Sequence, residues 1–292
     1  MRDLVPGPTN TQLKRLIYRG CFGMMRRDSF GGGMLRLNDT LEKRWHLLEP
    51  RIEVFGPDDD KPRPAMIMFH GCGGLRPHVR LYAEAAAVTG IRIFVVDSFN
   101  ARGWGRTFAV SMICTGMVMQ GYERSGDVLA AAWGVSQRKD VDASSLILFG
   151  ESHGGWSIMD LMTEKLTRPG EARLDDPDPK WLAGVKGLFL VYPYINFPAR
   201  TNFNRWHYRP RVFTVAAELD HLTPYAHTLK SMEKLKADGV PVQTLSLAAT
   251  HAFDETDFSG GIMRYDEAAT KASIEAMLGF IDSVFGNVAE PL

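Results

Sequence analysis

The amino-acid sequence predicts an α/β domain, a doubly wound, mostly parallel sheet with helices on both faces, in three layers α-β-α. Three observations predict it. Short runs that are apolar along their whole length recur through the chain, as strands covered on both faces require. Helical segments alternate with these runs, so successive strands are joined by helical crossovers rather than hairpins. The runs end in Gly, Asp or His, which places turn-forming and reactive residues at one edge of the sheet.

The elements follow in order. Residues 1 to about 45 read as an N-terminal extension, packed or mobile, containing the glycine run Ser29 to Met34; residues 46–292 form the single main domain. Gly56 to Pro64, "GPDDDKPRP", is a polar turn between two strands. Ala65 to His70 is a buried strand, followed by a helix near His78 to Thr89 and a strand over Ile91 to Ser98. A helix near Ser125 to Gln137 precedes the strand that ends in "SLILFGES", and a helical stretch follows Ser152 at once. The remaining strands are Val185 to Pro193, Arg211 to Asp220 and Val240 to Ala248, with helices near Pro224 to Ala237 and Tyr265 to Phe285.

Bulk properties narrow the function. The 292 residues carry 34 basic and 34 acidic side chains, so net charge gives no attraction to nucleic acid or an anionic membrane. No apolar run approaches the ~18 residues that a membrane span needs. Three cysteines, Cys21, Cys72 and Cys114, are an odd and sparse set that argues against a disulfide framework. Together with an N-terminus, "MRDLVPGPTN", that lacks a secretory apolar core, they predict a soluble protein of the cytoplasm.

The strand ends carry the chemistry. Gly150-Glu151-Ser152-His153-Gly154 is a Gly-x-Ser-x-Gly match between a buried strand and a helix, the setting in which a sharp turn exposes a serine oxygen. Glycines on either side are needed because neighbouring Cβ atoms would clash in such a turn. A serine hydroxyl needs a base, and on this architecture an acid and then a histidine must follow it in the chain. Asp220 ends one later strand and His251 follows the last one; Asp220 would orient His251. Glu218 is the rival acid but falls inside the strand run. In "FHGCGGL", the backbone N–H of Cys72, together with that of His153, is the expected oxyanion-binding pair. Cys72 itself reads as a small buried apolar residue, and His70 as a group that orders the loop.

"FHGCGGL", "VVDSFNARGWG", "ILFGESHGGW", "AAELDHLTP" and "ATHAFD" resemble the corresponding segments of the α/β-hydrolase superfamily, and within it the dienelactone hydrolase family. The resemblance runs from about Ala65 to the C-terminus and implies the α/β-hydrolase fold. The founding dienelactone hydrolases carry cysteine where this chain has Ser152, which favours a serine esterase. Relatives often hold a substrate carboxylate with arginines, a role the resemblance offers to Arg102 and Arg106; the structural alternative pairs Arg102 with Asp97. Phe108 to Met119, rich in methionine, and Tyr192 to Arg211, rich in aromatics, are candidate pocket walls; the alternative for the first is a core helix.

The expectation is therefore a metal-independent, cofactor-free hydrolase of a small-molecule ester or lactone, working through Ser152, Asp220 and His251. Amide, peptide or carbamate cleavage on the same fold, a dienelactone-type lactone hydrolase and a non-catalytic binding protein are the alternatives. A homodimer is left open.

Overall fold

The computed structural model describes residues 38–286; residues 1–37, with Cys21 and the glycine run Ser29 to Met34, lie outside the described residues. The sheet strands are β1 (Ile52–Phe55), β2 (Arg63–Phe69), β3 (Arg92–Val96), β4 (Val141–Glu151), β5 (Val185–Val191), β6 (Arg211–Ala217) and β7 (Val242–Leu247). Their order in space is β1-β3-β2-β4-β5-β6-β7. All neighbours are parallel except β1, which lies antiparallel to β3 at the edge. A small hairpin, β8 (Ser259–Gly260) and β9 (Met263–Arg264), stands apart from this sheet.

The apolar runs are continuous because each strand feeds two cores. Ile67 and Phe69 of β2 and Leu146 and Leu148 of β4 face one layer, with α1 (Leu41–Leu48), α3 (Gly121–Ser136), α4 (His153–Met162) and α5 (Tyr225–Ala237). The intervening Met66, Met68, Ile147 and Phe149 face the other, with α2 (Pro77–Ala87) and α6 (Glu267–Phe285). Each fully buried side chain of this size contributes about 1.5–3 kcal/mol. A one-residue slip would exchange the two cores, so the pattern also sets register.

The expected strands and helices are present, with boundary changes that have local causes. Helix α3 begins four residues earlier than the apolar pattern suggests because Gln120 and Glu123 form a capping box, with the Gln120 N–H donating to Glu123 Oε2 at 3.0 Å. Helix α6 starts at Glu267, where the Asp266 carboxylate accepts the Ala269 N–H at 2.9 Å. Helix α1 runs across the expected boundary at residue 45, with Leu41, Arg44, Trp45 and Leu48 buried.

Strand order reverses around β2: the chain passes to β3 on one side and returns to β4 on the other. Such a switch opens a crevice beyond the carboxyl ends of the strands. Phe69 of β2 pairs with Gly150 of β4, so the loop after β2 and the turn after β4 emerge side by side.

Trp45 packs where a Cβ on Gly134 would stand, 2.0 Å from the Trp45 ring. Gly134→Ala improves helix propensity but overpacks this contact. We expect it to destabilise the fold by about 1–3 kcal/mol, seen as a lower urea midpoint; an unchanged or higher midpoint would show that α1 is not locked onto α3 by this contact.

Candidate active site

Ser152 stands at the junction of β4 and α4 with φ 46° and ψ −112°, a backbone conformation that a non-glycine residue adopts at a cost of about 1–3 kcal/mol. The surrounding glycines permit it. A Cβ on Gly150 would lie 2.6 Å from Gly154 C, and one on Gly154 would lie 2.1 Å from Phe69 O. The turn is tied down by the Ser152 N–H donating to Val191 O at 3.0 Å and by the Tyr194 N–H donating to Ser152 O at 3.1 Å.

The three widely separated residues meet. Ser152 Oγ is 2.9 Å from His251 Nε2, and His251 Nδ1 is 2.7 Å from Asp220 Oδ2. Asp220 is held by its other oxygen, which accepts the N–H groups of Leu222 at 2.8 Å and Thr223 at 2.9 Å. This leaves Oδ2 for the imidazole and orients the ring so that its far nitrogen faces serine. All three side chains are buried. Glu218, the rival acid, lies just past β6 and is exposed.

The loop after β2 lies against the serine: a Cβ on Gly71 would stand 3.5 Å from Ser152 Cβ. Cys72 and His153 both line the pocket in front of Ser152. As the first residue of α4, His153 has an N–H with no carbonyl one turn earlier to receive it. Its imidazole is committed elsewhere, with Nε2 3.0 Å from Met119 O, and burial and the nearby Arg124 hold it neutral, pushing it down to about 3.

Beneath the site lies a buried polar cluster that the sequence reading missed. Glu151 Oε1 accepts the Gly71 N–H at 2.9 Å and faces His78 Nε2 at 3.0 Å. Tyr192 donates its hydroxyl to Asp254 Oδ1. Burial alone would discharge His78, but the charges of Glu151 and Asp254 and the bond to Glu151 outweigh it and raise the imidazole to about 9. Glu151 is correspondingly held below the usual carboxylate range, and burial pushes Asp254 above it. Ligand-type atoms of His78, Glu151 and Asp254 lie within 4.8 Å of one another, and these three are the metal-capable group among the described residues. The His78–Glu151 ion pair already occupies its centre. One signal was present in the sequence: a glutamate inside an otherwise apolar run must find a buried partner.

On the next face of the loop, Arg124 is fully buried, donates to His70 O at 2.7 Å and stacks over Phe99 at 4.7 Å. His70 orders the loop, its Nδ1 2.8 Å from Gly71 O and its Nε2 3.5 Å from Asp97.

Several expectations need correction. Cys72 is not a free apolar thiol: it forms a disulfide with Cys114, 42 positions on. The inference from an odd, sparse cysteine set therefore fails, and with it that support for a reducing compartment. Arg102 does not face the pocket and does not pair with Asp97. It makes a two-pronged bond to Asp127 at 2.7 and 2.9 Å and donates to Ser98 O, because the buried Asp127 needs cations on both sides, Arg102 and Arg44. Arg106 does line the pocket, but its guanidinium is engaged by Glu255 and Asp257, each at 3.3 Å.

The pocket holds roughly 520 Å³ and is mainly apolar, with Trp156, Tyr194, Phe197 and Leu222 on one side and Val110 and Cys114 on the other. Both candidate wall segments thus contribute. Phe108 to Met119 is a one-turn α segment (Arg106–Phe108) continued by a π turn (Ala109–Ile113), not a core helix; its outer face is exposed.

Comparison with known proteins agrees with this architecture. Residues 180–285, which include Asp220 and His251 but not Ser152, match the Dienelactone hydrolase family. A dienelactone hydrolase-like promiscuous phosphotriesterase from metagenomic libraries superposes with a TM-score of 0.63 at 19% identity, over 80% of this chain and 92% of its own. The chain has the α/β-hydrolase fold of these proteins. The thermophilic esterase Est2 of Thermogutta terrifontis, butyrate-bound, superposes with a TM-score of 0.58 at 17% identity, over 80% of this chain and 89% of its own. A putative dienelactone hydrolase of Klebsiella pneumoniae gives 0.57 and 15%, over 77% and 90%. No curated protein matches the sequence. No helix among the described residues is long and apolar enough to cross a membrane.

The His78 proton makes stability pH-dependent in a defined direction. Its folded pKa, about 9, lies above the unfolded 6.5, so its contribution is full below pH 6.5 and is lost as pH rises through about 9. We expect the urea midpoint to fall between pH 6.5 and pH 9.5, and His78→Gln to remove that fall; an equal fall in the variant would assign the dependence to other groups.

Proposed function

We propose that the protein is a serine hydrolase that cleaves carboxylic esters or lactones through an acyl-enzyme. The observation that carries this reading is the unbroken hydrogen-bonded line from Asp220 through His251 to Ser152, at 2.7 and 2.9 Å.

In this mechanism Ser152 Oγ attacks the substrate carbonyl while His251 Nε2 takes its proton. Asp220 keeps the Nδ1 proton in place and stabilises the imidazolium that forms. Negative charge develops on the carbonyl oxygen, within reach of the Cys72 and His153 N–H groups, and the positive end of α4 adds to their field. His251 then returns the proton to the leaving alcohol. Water enters, gives a proton to His251 and attacks the acyl-serine, and the imidazolium restores the Ser152 hydroxyl as the acid leaves.

The pocket suggests which carbonyls enter. Its walls are apolar and aromatic, and Arg106, with Arg76 beside it, is balanced by Glu255 and Asp257. With Arg102 turned away toward Asp127, no uncommitted guanidinium among these residues awaits a substrate carboxylate. This favours neutral esters with apolar acyl groups over carboxylate-bearing lactones, the alternative that free arginines would have supported.

Thermogutta terrifontis esterase 2, structurally similar to this chain, is known phosphonylated by sarin, so a fluorophosphonate is a suitable probe. We expect the purified protein to hydrolyse p-nitrophenyl acetate or butyrate and to be labelled on Ser152. Ser152→Ala should remove labelling and lower kcat by at least about 10³-fold, and Asp220→Asn by about 10⁴-fold with little change in KM. Full activity in Ser152→Ala would refute the mechanism, and matched amides cleaved faster than esters would move the assignment to the amidases.

A further inference from the structure

We propose that the Cys72–Cys114 disulfide is a redox-sensitive latch that holds the oxyanion loop and one pocket wall in their working arrangement; the inference rests on the reading of the Cys72 N–H as an oxyanion donor. The loop is anchored residue by residue. Arg124 holds the carbonyl of His70, and Glu151 holds the N–H of Gly71. Next comes Cys72, whose side chain is bonded to Cys114 with the two Cα atoms 5.0 Å apart. Beyond it a Cβ placed on Gly73 or Gly74 would meet nothing within 4 Å, and the chain is tied down again at Leu75, packed on the core, and at Arg76, paired with Glu255 and Asp257. The disulfide is therefore the anchor next to the open Gly73-Gly74 pair, on the residue whose N–H has to be placed.

The other end of the bridge is as dependent on it. Apart from the ion pairs of Arg106 with Glu255 and Asp257, the wall segment from Arg106 to Gly116 reaches the body through a small apolar cluster of Phe99, Ala109, Ile113 and Met119. Its outer residues are in solvent, with Val110 48% and Met117 72% exposed. Few buried contacts mean a low cost of local opening. The bridge is also within reach of small thiols, because Cys114 is exposed and both cysteines line the pocket.

Reduction balances as an ordinary exchange. A thiolate of dithiothreitol attacks one bridge sulfur and the S–S bond breaks; its second thiolate displaces the protein sulfur and closes the reductant into a cyclic disulfide. Two electrons pass to the protein, and two protons from solvent or reductant leave Cys72 and Cys114 as thiols. The oxyanion N–H is then no longer fixed relative to the wall. Complete loss of one such donor costs about 10²–10³ in kcat, so loosening it should cost about tenfold or more.

The test uses the full chain, equilibrated with oxidised glutathione and assayed on p-nitrophenyl butyrate before and after dithiothreitol. We expect one titratable thiol, Cys21, in the denatured oxidised protein, three after reduction, and a Cys72–Cys114 peptide by mass mapping. Reduction should lower kcat about tenfold or more with a smaller change in KM, and reoxidation should restore it. Cys114→Ser should show the reduced rate and no response to dithiothreitol; if that variant does not fold, the reversible response of the unaltered chain decides. Three thiols after oxidation, a bridge to Cys21, or equal kcat in both states would overturn the latch. Fluorophosphonate labelling of the oxidised protein separates the two readings: no label refutes the serine hydrolase, whereas a labelled protein indifferent to reduction refutes the latch alone.

Discussion

The backbone of Ser152 is the constraint on which the site depends. A serine held at φ 46° is stable only if the surroundings leave it no alternative. Those surroundings are a close crossing of backbones, with Gly150 against Gly154 and Gly155, and Gly154 against the end of β2. The crossing brings the loop after β2 beside Ser152 and sets the first free N–H groups of α4 in front of it. A side chain at Gly154 would have to displace β2 itself, so the turn at Ser152, the central strands and the loop after β2 stand or fall together.

Electrostatics around the elbow follow one rule: charge is buried only where it is answered. Glu151 is answered by His78 and by a backbone N–H, and Asp127 by Arg44 and Arg102. Arg124 is used where the loop after β2 turns a carbonyl inward, and burial, aided by its charge, lowers the His153 and His70 imidazoles. Removing one partner from such a pair leaves an uncompensated buried charge, far costlier than losing a surface pair. The arrangement therefore acts as a frame: its members reach backbone atoms of residues 70 and 71, immediately before Cys72.

Much of this was legible in order and spacing. Apolar runs without alternation specify strands buried on both faces, and residues at their ends share one edge of the sheet. Ser152, Asp220 and His251 could be paired in this way without coordinates, because strand-end position is a property of the local pattern. Glu151 was legible only as an anomaly, a carboxylate in an apolar run. Arg102 and Arg106 illustrate the limit. Both follow a strand end, but which way a guanidinium turns depends on where the acids of α3 and the β7–β8 region come to lie.

By itself the sequence determined the alternation of elements, the glycine-flanked turn at Ser152 and the candidate residues at the strand ends, since these rest on periodicities and steric rules acting over a few residues. Tertiary structure decided partners. It joined Cys72 to Cys114 across 42 positions, turned Arg102 toward Asp127 and away from the pocket, and set His78 against Glu151. Contacts of that kind are selected by packing among distant segments, and the local pattern around either member carries no record of the other.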